Sequence, residues 1–243
     1  MKRSHWILSA IILCTFAQFC TAQERMDLSG TWSFQLDDEK AGERERWFEK
    51  DLAESIRLPG STDEQGFGVR AVKPQRTRLT REYRYVGPAW YQKTIEIPES
   101  WKGKYVELFL ERAMWETRVW LDDHYIGSAG SLCVPHRFNL SDYISPGRHR
   151  LTIRIDNRLK VNVGHNMNLE GKGWARMWAM SVTEESQTNW NGAIGKLAIH
   201  VSDPVRIERL EAYPDLAKKE SRVVAYVRSY EAVSYTHLRA HET

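Results

Sequence analysis

Apolar residues recur at every second position through most of the interval 87–158. Tyr91, Ile95 and Ile97 form one run, Val106, Leu108 and Leu110 a second, Trp115, Val119 and Leu121 a third, and Leu151, Ile153 and Ile155 a fourth. Side chains of a β-strand point alternately to opposite faces, so a period of two predicts strands with one buried face. The same pattern flanks the interval, in Trp32, Phe34 and Leu36 before it and in Leu197, Ile199 and Val201 after it. Turn signals separate the runs: PESWKG at 98–103, Asp122-Asp123, and SPG at 145–147. Asp122-Asp123 predicts a hairpin joining the third run to Tyr125 and Ile126, although Asp followed by Gly is the stronger signal. Short strands, frequent turns and little helix predict an all-β sandwich or jelly roll.

Several segments depart from the alternation. Residues 41–52 hold Ala41, Trp47, Phe48 and Leu52 among charges and predict a weak amphipathic helix plugging one end of the sandwich. Residues 58–68, LPGSTDEQGFG, read as a polar loop, a surface crossover in the ordinary case and a ligand contact in the alternative. The irregular stretch 163–191 places Trp174, Trp178 and Trp190 among amides and carboxylates. Such residues suit a sugar, whose C–H faces stack on rings while its hydroxyls take hydrogen bonds; a cap on the core is the competing reading. Trp120 falls on the polar face with Glu116 and Arg118, which fits packing under a loop, the preferred reading, or contact with a neighbouring domain. The arginines of RTRLTREYRY at 76–85 read as a solvated loop rather than an anion-binding strip.

Charge and cysteine content narrow the function classes. The front of the chain carries Lys2 and Arg3, an apolar run from Trp6 to Phe19, and Thr21-Ala22 before Gln23, which is the pattern of a cleaved export signal over 1–22. The expected location is therefore periplasmic or extracellular. The apolar run falls short of the roughly 20 residues of a spanning helix, so no membrane association is expected after cleavage. Bulky Gln18 and Phe19 before Cys20 count against lipid attachment. Of 35 basic residues, 33 remain without Lys2 and Arg3, against 32 acidic ones, a balance with no footprint for nucleic acid. Cys133 then stands alone, so the core rather than disulfides is expected to hold the fold. His136, His149 and His165 lack ligand spacing, and no metal or cofactor is expected.

Asp203-Pro204 marks a boundary, after which 205–213 and 223–230 predict the first strands of another β-sandwich. The final AVSYTHLRAHET has no alternation and resembles a translated sequencing adapter. The expected organisation is a signal at 1–22, a jelly-roll domain at 23–204, the incomplete start of a second sandwich at 205–233, and a non-native tail at 234–243.

Residues 28 to about 214 resemble the N-terminal sugar-binding domain of family 2 glycoside hydrolases, the group of β-galactosidases and β-glucuronidases. The resemblance rests on LSGTWSFQLD, LPGSTDEQGFG, GPAWYQKTIEIPESWKGK, WETRVWLDDHYIG, PHRFNLSDYISPGRHRLTIRIDNR and QTNWNGAIGKLAI, in that order. Such domains often carry Asn-Gly where Asp122-Asp123 stands, which leaves that turn type open. The resemblance implies a galactose-binding-like jelly roll, then an immunoglobulin-like sandwich, then a TIM barrel carrying two catalytic Glu about 5 Å apart. A barrel needs roughly 250 residues, and 39 follow Pro204. No catalytic residue is therefore assigned, and Glu184 and Glu185 read as solvated loop charges. The resemblance further implies Gln187, Asn189, Trp190 and Asn191 as substrate-side contacts, with Asp63 and Gln65 as weaker candidates. The expected role is non-catalytic sugar binding within an exported hydrolase of β-glycosides, whose partners are a carbohydrate and the missing C-terminal domains. The alternative is a free-standing carbohydrate-binding or adhesion module.

Overall fold

The computed structural model describes residues 24–70, 81–158 and 189–230, and the backbone of 236–240. Alternation in sequence becomes strand throughout these residues. The strands are β1 (Glu24–Asp27), β2 (Gly30–Leu36), β3 (Glu54–Leu58), β4 (Gly60–Ser61), β5 (Val69–Arg70) and β6 (Tyr83–Arg84). They continue with β7 (Pro88–Ile97), β8 (Tyr105–Ala113), β9 (Glu116–Leu121), β10 (His124–Gly130), β11 (His136–Asn139) and β12 (Gly147–Asp156). Last come β13 (Gly192–Ser202), β14 (Val205–Asp215), β15 (Glu220–Ser229) and β16 (Thr236–Ala240).

Two antiparallel sheets face each other. A six-stranded sheet runs β10-β9-β12-β7-β2-β3, and a five-stranded one runs β1-β13-β8-β11 with β4 paired to the start of β13. Apart from the consecutive pairs β9–β10 and β2–β3, neighbours in each sheet are distant in sequence, as in a jelly roll, so much of the core forms from non-local pairs. β12 lies between β7 and β9 in registers that put Ile153 beside Tyr91 and Val119. The alternating residues converge between the sheets: Trp32, Phe34, Tyr91, Leu108, Leu110, Val119, Ile153 and Ile199 are at most 1% exposed. The hairpin joining β9 to β10 turns at Asp122, which takes a left-handed φ of 54° that Asp tolerates. Its carboxylate accepts from the Arg150 N–H and pairs with His149.

Residues 41–52 correct the expectation of a helix plugging one end. They form turns and a 3-10 piece at Trp47–Glu49, and they lie across the outer face of the six-stranded sheet. Asp37 anchors them: its carboxylate accepts from the N–H groups of Ala41 and Gly42 and from the indole of Trp90. Gly42 sits so close that a Cβ there would be 2.4 Å from the Trp90 indole nitrogen. Glu43 reaches back to Arg118 and Arg154 on the sheet.

This cover settles Trp120. Its phase is outward, as the pattern indicates, yet it is 4% exposed, stacked on Phe48 at 5.4 Å and on Trp90 at 5.1 Å. It packs under a loop, and the neighbouring-domain placement is set aside.

Beyond Pro204, β14 and β15 pair along their length, and the backbone of β16 adds a third strand. One face of this sheet is laced by Arg209 over Tyr226 and Arg222 over Tyr213. The other exposes Val205, Ile207 and Leu210, each more than 60% accessible.

Replacing Trp120 with Ala is expected to lower unfolding free energy by about 3–5 kcal/mol, the cost of emptying a packed aromatic site. Chemical denaturation measures it; a change within about 0.5 kcal/mol is what a surface tryptophan gives.

Candidate functional site

Two of the segments expected to meet a sugar do come together. The loop after β3 forms β4, whose Ser61 and Gly60 pair with Gly192 and Ala193 at the start of β13. One residue further, the Thr62 N–H donates to the Asn191 carbonyl at 2.8 Å. The approach is so close that a Cβ on Gly192, which has φ 141°, would lie 2.2 Å from the Gly60 carbonyl oxygen. A side chain at 192 would part the two segments.

The seam is held from below by two buried asparagines. Asn191, fully buried, donates to the carbonyls of Gly87 and Ile155 and accepts from the Tyr91 hydroxyl at 2.7 Å. Asn157, 1% exposed, donates to the carbonyls of Tyr85 and Asn189 and accepts from the Gly87 N–H. Burial first, then the charges on Tyr85 and Asp63, raise the Tyr91 phenol well above its usual range. It is a neutral donor at any physiological pH, which is what the Asn191 amide oxygen requires. Arg81 completes the support, donating to the Asn189 carbonyl at 2.5 Å. It is 8% exposed, so the solvated reading of the arginine run is corrected at this residue; Arg76 and Arg78 lie outside the described residues.

The predicted contacts therefore divide by environment. Asn191 has its amide fully engaged inside the protein and fixes the start of β13. Gln65 is similarly spent: its side chain brackets the backbone of Arg57, accepting from the N–H at 2.7 Å and donating to the carbonyl at 2.8 Å. Asn189 is 9% exposed, and its side-chain oxygen, with Thr62 Oγ1 and Asp63 Oδ1, is a buried polar atom with no partner among the described residues. Trp190 and Asp63 are half-buried and keep accessible surface. Gln187, Trp174, Trp178, Glu184 and Glu185 lie outside the described residues. The supporting residues Asn157 and Arg81 carried no sequence signal of this role: Arg81 sits in a run that reads as solvated, and Asn157 is one polar residue at the end of a strand run.

Comparison with known proteins adds to this geometry. The family model described as "Glycosyl hydrolases family 2, sugar binding domain" matches residues 26–185. A β-glucuronidase of Paenibacillus borealis is 28% identical over 145 residues, covering 59% of this chain and 23% of that protein. A β-galactosidase of Thermoanaerobacter pseudethanolicus is 27% identical over 79 residues, 32% of this chain and 10% of that protein. Among solved structures, a β-glucuronidase of an uncultured Clostridium aligns with a TM-score of 0.62 at 20% identity, covering 86% of this chain and 34% of that one. The Ruminococcus gnavus β-glucuronidase in complex with uronic deoxynojirimycin aligns at 0.65 and 17% identity, covering 90% and 38%. These structures share the fold. The chain spans about a quarter of the length of the Paenibacillus relative.

Asn191→Ala strips partners from the Tyr91 hydroxyl and two buried carbonyls. A loss of about 3 kcal/mol in urea unfolding is expected, since each buried group left unpaired costs about 1–3 kcal/mol. Hydrogen exchange at the Thr62 amide should accelerate with it; an unchanged rate would separate the loop from the amide seam.

Proposed function

The chain belongs to the sugar-binding domain family of the family 2 glycosyl hydrolases, and we propose that it serves as the non-catalytic, carbohydrate-recognising part of an exported hydrolase of β-glycosides. The observation that carries this reading is the pinned seam between 60–63 and 189–192, set within a chain most of which matches the family. It carries Trp190, with a ring suited to a sugar C–H face, and Asp63, an acceptor for hydroxyls, each next in sequence to one partner of the Thr62–Asn191 backbone hydrogen bond. Asn189 lies on the same seam, while Asn191 and Gln65 hold the backbone that carries it. The similarity to β-glucuronidases favours a glucuronide over other β-glycosides. The acid/base and nucleophile of the reaction belong to a domain that these residues accompany, and interactions at the seam set specificity more than rate.

Two measurements test the reading. The chain alone is expected to leave aryl β-glucuronides and aryl β-galactosides intact, and turnover by homogeneous protein would refute the non-catalytic role. Joined to a catalytic barrel in a longer polypeptide, Trp190→Ala is expected to raise KM by about tenfold, the order expected when one ring no longer stacks on the sugar. Identical kinetics would remove Trp190 from the substrate face.

A further inference from the structure

A second cleft lies at the opposite end of β13, about 30 Å from Asn191 by the rise of ten strand residues. Here the chain leaves the five-stranded sheet at Asp203-Pro204 to begin β14, and residues of the sheet's outer face and of β14 line one cleft. The cleft has a volume of about 280 Å³, with Tyr105, Arg137, His200 and Ser202 from the sheet and Arg206 and Glu208 from β14 among its walls. Its size lies just below that of ordinary ligand sites, which begin at about 300 Å³, and suits only a small molecule.

Arg206 sets the chemistry. Its guanidinium carbon lies 3.4 Å from the centre of the Tyr105 ring, so the ring occupies one face of the planar group and fixes its orientation. The Nη1 of that guanidinium is buried with no hydrogen-bond partner among the described residues. A fixed, planar, cationic donor without an acceptor is a cost unless an anion answers it. The carboxylates nearby are already engaged: Glu107 pairs with Arg137 at 2.6 Å and Glu208 with Arg228 at 2.7 Å. The field is positive overall. Burial holds the His200 imidazole below its ordinary value, and Arg137, Arg25 and Lys196 add to that shift against the opposing pull of Glu107. Arg137 in turn lies over Phe109, which stacks on His200, so this wall is rigid as well.

We propose that this cleft binds a small organic carboxylate, whose oxygens accept from the Arg206 fork while His200 and Ser202 take its hydroxyls. A carboxylate fits the planar fork in a way a neutral sugar does not. The site is separate from the seam at Asn191, and its existence does not depend on what that seam binds.

Calorimetric titration of the whole chain with D-glucuronate, against D-glucose at matched ionic strength, tests the assignment. Saturable binding of glucuronate and none of glucose is expected. Arg206→Gln should weaken it at least about tenfold, as removal of a charge-assisted hydrogen bond does. Glu208→Gln should tighten it about twofold by removing a like charge from the wall, a change that damage to the fold would not produce. Equal binding of glucose, no saturable binding, or affinity indifferent to Arg206→Gln would overturn the proposal. Affinity abolished in Trp190→Ala but kept in Arg206→Gln would also overturn it, while supporting sugar recognition at the seam.

Discussion

The two sheets of the sandwich are bolted together at one end by buried amides, and the backbone positions of 60–63 and 189–192 follow from that bolt. Asn191 immediately precedes β13 of the five-stranded sheet, yet its side chain is shared among Gly87, Tyr91 and Ile155, which border or belong to strands of the six-stranded sheet. A buried amide without partners is costly, so the two sheets are held at the one separation and register in which all three bonds form. Asn157 repeats the device from the opposite sheet, donating to the carbonyl of Asn189. Hydrophobic contact between the sheets is non-directional and tolerates sliding; amide bonds do not. The loop at 60–63 is positioned by this constraint, because its backbone pairs with residues 191–193.

A related use of polar groups secures the outside of the six-stranded sheet. Asp37, 2% exposed, receives three donors and so turns the chain back over Trp90 and Trp120. The charges beside it form a network in which Arg154 meets Glu43, Glu116 and Asp156, and Arg158 also meets the fully buried Asp156. Burying ions seldom adds much net stability, because desolvation offsets their attraction. What the network contributes is register, since Glu43 ties the covering segment to both β9 and β12. Each of these carboxylates is answered by a guanidinium.

The two ends of β13 thus differ in kind. At the Gly192 end, the amides of Asn191, Asn157 and Gln65 are satisfied within the protein, while Asn189 Oδ1, Thr62 Oγ1 and Asp63 Oδ1 are buried without partners among the described residues. At the Ser202 end, a guanidinium is oriented by an aromatic ring and left with an unanswered donor. One strand carries both environments because its own side chains alternate while its ends meet different neighbours: a tight backbone seam at one, the first strand of the following sheet at the other.

Period-two alternation determined by itself that the chain is all-β, which residues face the core and roughly where each strand turns. Alternation reports the face of a strand, and burial of one face is a local, repeated requirement. It even gave the outward phase of Trp120 correctly. Tertiary structure decided what covers that face, because the cover comes from residues 41–52, about 70 positions away. It also decided the fate of the candidate contacts. Asn191 and Gln65 were legible as amides beside a tryptophan and in a polar loop, and nothing local distinguishes an amide that faces solvent from one that is saturated inside. The partners of Asn191 lie 36, 100 and 104 residues away. A hydrogen bond is directional and closes only when both partners are in place, so its pairing is a property of the assembled sheets rather than of any stretch of sequence.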